Sequence, residues 1–351
     1  MDKIHSDSQT DLSTELSTDL STELRIVSLI PSATEIVAKL GYGQYLVGRS
    51  HECDFPAFVK TLPICTEPKF NPVGTSSQIH ERVTELLASA LSVYRVNVAL
   101  LTQLRPTHII TQAQCEVCAV SLSDVEQAVT DLASTGDRPI QIVSLQPNRL
   151  ADVWADMERV AAALASIKPI TPAPAIIQKL QSRLPATDTA SDSDSDSETV
   201  RPKVVCPKVV CPKVVCPKVV CIEWTDPLMA AGNWVPELVA LAGGTDSCGK
   251  AGEHSDWMSW ETLTAADPDI IIVMPCGYDM DQTRQATQDL SQHPDWATLI
   301  AVKTGRVYLT DGNQYFNRPG PRLVDSYEIL AEIIQQKEIN ACRHPVGWEQ
   351  F

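Results

Sequence analysis

Side chains that could bind a metal ion or a flat organic molecule are concentrated directly after a few short apolar segments of this sequence. Imidazole and thiolate groups are donors for zinc, iron or cobalt, and aromatic rings bury flat molecules by stacking. Carboxylate, amide and guanidinium groups in the same segments add polar contacts. The candidate ligand-binding residues are His51, Glu52, Cys53, Gln112, Cys115, Trp224, Trp234, Cys276, Tyr315, Phe316, Asn317 and Arg318.

Two of these segments could bind a metal ion by themselves. His51 and Cys53 are two residues apart, and Cys115 and Cys118 form a Cys-x-x-Cys pair. A lone Cys-x-x-Cys is a weak motif, because a tetrahedral zinc site needs further ligands. We take His51 and Cys53 as a candidate metal pair and leave open whether the other cysteines bind metal, perform thiol chemistry or simply pack.

The elements that must position these residues alternate between strand and helix. Such alternation is typical of βαβ units and a parallel sheet, and ligands of parallel sheets bind beyond the carboxyl ends of the strands. The candidate residues follow the predicted strands, so we expect them to share one cleft. The predicted strands are Arg25–Ile30, Tyr45–Arg49, Thr107–Gln112, Ile140–Leu145, Val219–Trp224, Ile270–Met274 and Arg306–Thr310.

Helix signals lie between these strands. Ser32-Ala33-Thr34-Glu35 reads as a capping box that begins a helix ending at Gly41, and Ser121 to Asp124 caps another that ends at Gly136. The apolar spacing of residues 149–166 predicts one long amphipathic helix. A last helix is predicted over Leu323 to Gln335. The predicted architecture is α/β, with two Rossmann-like lobes joined by a single long helix.

Two repeats punctuate this architecture. An acidic tetrad, (Asp/Glu)-Leu-Ser-Thr, recurs before Leu24, and the unit Lys-Val-Val-Cys-Pro recurs from Lys203 to Cys221 after a Ser-Asp run. A proline every fifth residue interrupts both strand and helix. We therefore predict five regions: a disordered acidic tail (1–24), an N-terminal lobe (25–146), an interlobe helix (147–168), a linker (169–217) and a C-terminal lobe (218–351).

Composition excludes several classes of partner. The 351 residues carry a net charge of -16, which repels nucleic acid and anionic lipid. Eleven cysteines are an odd number and do not form the framework of a secreted disulfide-rich domain. A basic and apolar signal peptide is not visible, so the chain as written is expected in the cytoplasm. No Gly-rich phosphate loop or catalytic triad motif is present, and we expect no enzyme activity.

At this point a family resemblance emerges. The segments Arg25–Glu35 and Val47–Pro56 resemble the start of the helical-backbone periplasmic binding proteins. Leu104-Arg105-Pro106, Ala231-Gly232 to Gly243-Gly244 and Ala266–Ile271 match the same family. These proteins are the substrate-binding components of ABC importers for cobalamin and ferric siderophores. The chain is most similar to the cobalamin-binding branch, over residues 25–180 and 218–337.

The resemblance implies a monomeric binding protein that needs no cofactor and holds a corrinoid, such as cobalamin, or a related metal chelate between its lobes. Aromatic contacts are expected from Trp224, Trp234, Tyr315 and Phe316. It also implies a periplasmic location and, if the chain is exported, docking to ABC permease subunits through Glu261; Ala99 stands where the other lobe's acid is expected. The alternative is a cytoplasmic metal-ion or thiol-active protein on the same fold, using His51 and the cleft cysteines.

Overall fold

A computed structural model describes residues 23–89, 93–113, 121–133, 139–170, 172–185, 216–336 and 347–351. Within these residues the chain forms two α/β lobes with a helical connection between them. Nearly all of the predicted acidic tail lies outside this part of the chain, and so do residues 203–215 of the Lys-Val-Val-Cys-Pro repeats and both Cys115 and Cys118. The last repeat continues into strand β7, Lys218–Thr225. No helix of the described part is both long and apolar enough to cross a bilayer.

The N-terminal lobe is built on a four-stranded parallel sheet in the order β2-β1-β5-β6. The two strands β3 and β4 pair with each other as a separate antiparallel ribbon, and helix α2 lies between them in sequence. In chain order the elements are β1 (Ile26–Ser28), α1 (Pro31–Lys39), β2 (Leu46–Arg49), β3 (Thr66–Pro68), α2 (Ser76–Ala88), β4 (Tyr94–Val96), α3 (Val98–Leu104), β5 (His108–Gln112), α4 (Leu122–Ala133) and β6 (Gln141–Leu145).

The connection consists of two helices, α5 (Leu150–Ala165) and α6 (Ala173–Gln181). The apolar positions that predicted the first one are its buried face, including Trp154, Met157 and Leu164. Helix α6 lies inside the range predicted as a linker. Its prolines sit near its first turn, where no backbone N–H partner is lost, and its apolar spacing buries Ile177 and Leu180.

The C-terminal lobe contains a seven-stranded sheet in which β7, β11 and β12 run parallel at the centre. Antiparallel strands β8, β10 and β13 extend it, and β9 pairs with β7. Its elements are β7 (Lys218–Thr225), β8 (Leu228–Ala230), α7 (Val235–Leu241), β9 (Thr245–Asp246), β10 (Asp256–Trp257), α8 (Trp260–Ala266), β11 (Ile270–Val273), α9 (Met280–Leu290), α10 (Ile300–Lys303), β12 (Val307–Thr310), α11 (Leu323–Ile334) and β13 (Trp348–Gln350).

The two lobes share one hydrophobic core. A single cluster of buried side chains runs from Ile36 on α1, through Met157 on α5, to Leu330 on α11 and Val219 on β7. Polar contacts tie the same surfaces together: the carboxylate of Glu237 accepts from the backbone N–H of Leu150 at 2.7 Å. The lobes are therefore packed against each other as well as joined by the chain.

The predicted capping box at Ser32–Glu35 is wrong. Helix α1 begins with Pro31, and its N-cap residue, Ile30, makes no side-chain cap. A proline in the first turn has no N–H to satisfy and fixes φ in the helical range, so the helix can begin without a capping side chain. Glu35 is buried and contacts two arginines of the other lobe instead.

Candidate functional site

The candidate site is the cleft between the lobes, which we define as the space between the carboxyl ends of their parallel strands. On the N-terminal side, the segment from His51 to Phe55 follows β2. On the C-terminal side, Trp224 is near the end of β7 and Tyr278 follows β11. A π-helical turn, Gly312–Phe316, follows β12 and leads to Arg318. The topology thus brings the predicted segments to one interface.

Two buried arginines cross this interface. Arg318 donates from Nη1 to Asp54 Oδ1 at 2.5 Å and to Glu35 Oε1 at 3.3 Å, and from Nη2 to Asn313 Oδ1 at 2.7 Å. Burial opposes ionisation of Asp54, but the hydrogen bond and charge of Arg318 outweigh it and lower the pKa of that carboxyl. Arg318 therefore holds the His51–Phe55 segment to the C-terminal lobe.

The second arginine is held as tightly. Arg322 binds Glu35 through two parallel hydrogen bonds, Nε to Oε2 at 2.8 Å and Nη2 to Oε1 at 2.5 Å. Its guanidinium lies 4.3 Å from the ring centre of Phe55 and 5.7 Å from that of Tyr315. A bidentate carboxylate pair with aromatic neighbours satisfies most of what a guanidinium can bind. The charges of Arg318 and Arg322 are thus matched by two carboxylates of the protein, Asp54 and Glu35.

The N-terminal wall of the cleft carries His51, whose ring is held through one of its two nitrogens. Its Nδ1 lies 2.8 Å from Thr66 Oγ1, and that hydroxyl donates its own hydrogen to Ser50 Oγ at 3.0 Å. In the tautomer in which Nδ1 donates to Thr66, Nε2 keeps its lone pair and lies 3.9 Å from Glu52 Oε1. Burial lowers the pKa of His51 and keeps the ring neutral near pH 7.

Beside it, Glu52 and Tyr94 form a hydrogen-bonded pair. Tyr94 Oη donates to Glu52 Oε1 at 3.3 Å, and the Tyr94 ring packs on His51 with the ring centres 5.2 Å apart. Burial raises the pKa of Glu52 to about 7, although Arg318 opposes this shift. At neutral pH this carboxyl is partly protonated and can donate as well as accept a hydrogen bond.

The C-terminal wall is aromatic. Trp224 packs on Tyr278 with the ring centres 5.3 Å apart, and its Nε1 donates to the Asp226 carbonyl at 3.1 Å. Tyr315 and Cys276 are half-buried in the same lobe. Asn317 donates from Nδ2 to the carbonyls of Met274 and Gly312, at 3.1 and 3.0 Å, so this side chain holds the loop in place.

Four predicted contact residues belong to the core instead. Phe316 is fully buried, and Trp234 is buried with its Nε1 donating to the Phe316 carbonyl at 3.0 Å. Gln112, the last residue of β5, is also buried. Cys53 is 1% exposed and its Sγ accepts a hydrogen bond from Thr34 Oγ1 at 3.0 Å. These side chains present no free surface to a ligand.

The predicted His51–Cys53 metal pair is therefore not brought together. Burial raises the pKa of the Cys53 thiol to about 12, and a thiol must ionise to bind metal well. Among the described residues, no group of three or more His, Cys, Asp or Glu side chains is arranged to hold a metal ion. His51 remains as a single donor in the cleft.

We expect the buried thiol to be inert towards alkylation. With a pKa of about 12, roughly one Cys53 thiol in 10⁴ is ionised at pH 8, and its sulfur is shielded from solvent. Half-exposed Cys276 should react with iodoacetamide at least tenfold faster, as measured by site-resolved mass spectrometry. Both should react alike in urea, and equal labelling of the native protein would contradict this placement.

Several interface residues were missed in the sequence. Glu35, Asp54 and Asn313 bind the two arginines, and Ser76 hydrogen-bonds to the opposite lobe. The one available signal was the i, i+4 spacing of Arg318 and Arg322 in a Pro/Gly-rich segment, which gives no indication of their partners.

Glu261 is exposed in the first turn of α8, at the position that the family resemblance implies for docking. Its counterpart in the other lobe is recognisable in the structure. Helices α3 and α8 both have seven residues, a side-chain N-cap and a left-handed C-cap residue followed by proline. Ala99 and Glu261 both occupy the second helical position. The acid is thus present in one lobe and replaced by Ala99 in the other.

Comparisons with known proteins agree with this architecture. Residues 216–314 match the family model described as "Periplasmic binding protein". No curated protein matches the chain in sequence. Three solved structures illustrate the likeness in fold. One is a possible iron-binding (periplasmic solute-binding) protein from Staphylococcus epidermidis, with 18% sequence identity and a TM-score of 0.60 over 89% of this chain and 99% of that one. Another is the periplasmic vitamin B12-binding protein BtuF of Vibrio cholerae, with 18% identity and a TM-score of 0.54 over 90% of this chain and 98% of that one. The third is the periplasmic heme-binding protein RhuT from Roseiflexus sp. RS-1, with 21% identity and a TM-score of 0.56 over 90% of this chain and 98% of that one.

These matches confirm the predicted fold class and the resemblance to the periplasmic binding proteins. The sequence match lies in the C-terminal lobe. The structural matches extend over both lobes, and at 18–21% identity they establish the fold.

Proposed function

We propose that this chain is the substrate-binding protein of an ABC-type importer and that its ligand is a corrinoid. The first part rests on the family match and on a fold shared with proteins described as binding vitamin B12, heme or iron. The second part rests on the chemistry of the cleft. Binding and delivery, without catalysis and with no cofactor of its own, are the role proposed for a monomer.

The corrinoid assignment rests on one observation, which is that both arginines of the cleft are already paired with carboxylates of the protein. Heme bears two carboxylates, and many siderophore complexes are anionic, so such ligands need uncompensated positive charge. Here Arg318 and Arg322 are already paired with Asp54 and Glu35, and Glu52 adds further acid. Displacing a buried partner would leave a buried charge unpaired, at a cost of several kcal/mol. A ligand with an uncharged, amide-bearing rim avoids this cost.

The remaining groups suit such a ligand. Trp224, which is only partly buried, offers aromatic surface for a broad ring, and buried Tyr278 packs against it. Glu52, whose side chain is 38% exposed and which Tyr94 holds by a hydrogen bond, can exchange hydrogen bonds with peripheral amides. His51 Nε2 can replace a water molecule on the cobalt, because Thr66 fixes the ring by its other nitrogen. Of the candidate metal pair, only His51 is proposed as a ligand of the cobalt, because Cys53 is buried.

The test is a titration of the purified protein with diaquocobinamide and, separately, with hemin. Cobinamide should quench tryptophan fluorescence with a Kd in the micromolar range or below, and its visible spectrum should shift as imidazole replaces water. The His51→Ala variant should lose the spectral shift while retaining the quenching. Tighter binding of hemin than of cobinamide, or no quenching by cobinamide, would refute the corrinoid assignment.

Delivery requires a membrane partner. We propose that exposed Glu261 on α8 contacts a basic residue of an ABC permease, and that the opposite lobe contributes no matching acid because its helix α3 carries Ala99.

The cytoplasmic metal-ion or thiol alternative has less support. Cys53 is buried, and Cys276 has no metal-binding cluster around it within the described residues. If zinc or cobalt ions bound stoichiometrically while cobinamide did not, this alternative would replace the carrier.

A further inference from the structure

We propose that helix α2 is a lid that closes the cleft, held to the opposite lobe by two of its side chains, Ser76 and His80. The lid unit is defined as residues 69–89, the described part of the segment that follows β3 and contains α2. Its gating of a ligand rests on the proposed function, whereas its mobility as a separate unit does not.

The lid unit leaves and re-enters the N-terminal lobe at one place. Strands β3 and β4 pair antiparallel, and the backbone N–H of Lys69 donates to the Val93 carbonyl at 2.9 Å. This two-stranded ribbon is separate from the main sheet. A segment with both ends at one ribbon can change its orientation while the four-stranded sheet stays in place.

The helix itself is internally well formed. Thr75 and Gln78 make a capping box at its start. Arg82 Nη1 donates to the carbonyls of Asn71 and Val73, at 3.0 and 2.7 Å, which ties the preceding loop to the helix. These contacts are all within the unit, so α2 and its leading loop can move as one body.

Packing of the helix on its own lobe is weak. Of its 13 residues only Ser76 is buried. Val83 packs partly against the N-terminal core, whereas Leu87 is 40% exposed. Elements with few buried apolar contacts are the ones that open locally at low free-energy cost.

The burial of Ser76 comes from the opposite lobe. Its Oγ lies 2.7 Å from Thr225 Oγ1 and 3.3 Å from Tyr278 Oη. One turn further, the ring of His80 meets the edge of Trp257, with the ring centres 5.1 Å apart. Trp257 is 54% exposed, so this contact lies at the surface. We call these contacts of Ser76 and His80 the seat of the lid.

The seat adjoins the aromatic wall of the cleft. Tyr278, which contacts Ser76, also packs on Trp224. A helix docked here covers the surface on which a flat ligand would stack. The rest of the interface is held by buried ion pairs and a shared core. Opening of the lid is therefore a less costly way to admit a ligand than separation of the lobes.

Hydrogen exchange of the full chain, measured by mass spectrometry without ligand, tests the lid. In the wild type, amides of α2 should exchange faster than those of β5 and β11. In the Ser76→Ala/Trp257→Ala variant, α2 amides should exchange at least tenfold faster than in the wild type, with β5 and β11 unchanged. Glu81→Ala, an exposed change on the same helix, is the control and should leave α2 exchange near its wild-type rate.

Two outcomes would overturn the lid. If α2 amides exchanged only together with those of the sheets, the helix would be an integral part of the lobe and not a lid. If exchange were unchanged in the double variant, the contacts of Ser76 and His80 would not hold the helix in place.

Gating is tested separately by stopped-flow quenching with diaquocobinamide, which the double variant should bind with an association rate at least threefold higher than the wild type. An unchanged rate would reject gating, whereas a failure of cobinamide to bind would refute the proposed function and leave the exchange result valid.

Discussion

Replacement of Glu35 by alanine is expected to lower the free energy of unfolding by about 3–5 kcal/mol, because it leaves a buried guanidinium without its partner. Glu35 is 3% exposed, and Arg322 and Arg318 are 8% and 4% exposed. The bidentate pair with Arg322 is lost in this variant, and Arg318 retains Asp54 and Asn313. Urea unfolding monitored by circular dichroism measures the change.

Two further variants separate burial from pairing. Arg95→Ala removes the ion pair with Glu67, in which both side chains are more than half exposed, and should leave the free energy of unfolding nearly unchanged. Glu35→Leu/Arg322→Met removes both buried charges and should be more stable than Glu35→Ala. A loss for Glu35→Ala as small as that of Arg95→Ala would contradict the buried network.

Replacement of Trp234 by alanine should also destabilise the protein strongly, by about 3–5 kcal/mol, as is typical for a large buried aromatic residue. Trp234 is 6% exposed, lies in the core shared by both lobes and donates to the Phe316 carbonyl. Its loss would leave a cavity and an unpaired carbonyl at the end of the turn that positions Arg318. Thermal and urea unfolding of the variant provide the measurement.

Trp224→Ala is the matched comparison, because this indole lies on the cleft wall and is only partly buried. Its expected effects are reversed: a small loss of stability and at least tenfold weaker cobinamide binding, equivalent to about 1.4 kcal/mol. If Trp234→Ala left stability unchanged and reduced only binding, the placement of Trp234 in the core would be wrong.

The periodicity of apolar residues was sufficient to predict the framework of the fold. Parallel strands that are buried on both faces, such as Ile270–Val273, read as continuous apolar runs, and the 3.6-residue stripe of α5 is equally direct. The short antiparallel edge strands could not be predicted in this way. Segments of two or three residues, such as Asp256–Trp257, carry no measurable period.

The site was predicted less well, since side-chain direction depends on contacts between distant parts of the chain. Strand topology correctly placed the His51–Asp54 segment opposite Arg318. It could not show that Cys53 and Phe316 point into the core, or that Glu35 pairs with Arg322, 287 residues away. Glu35 also matched the sequence pattern of a capping box. That local pattern explained the residue without any contact to a distant part of the chain, so its pairing with Arg322 was not predicted.

The shared core has a consequence for how this protein can be altered. Because one hydrophobic cluster extends through α1, α5 and α11, each lobe shares part of its interior with the other, in addition to a hydrophobic cluster of its own. A chimera that exchanged one lobe for that of a relative of similar fold would leave α5 against unfamiliar side chains on one flank. Exchange of lobes between proteins of this fold is therefore constrained where the lobes meet. Helix α5 has to be transferred together with the helices that it packs against, α1 and α11 among them.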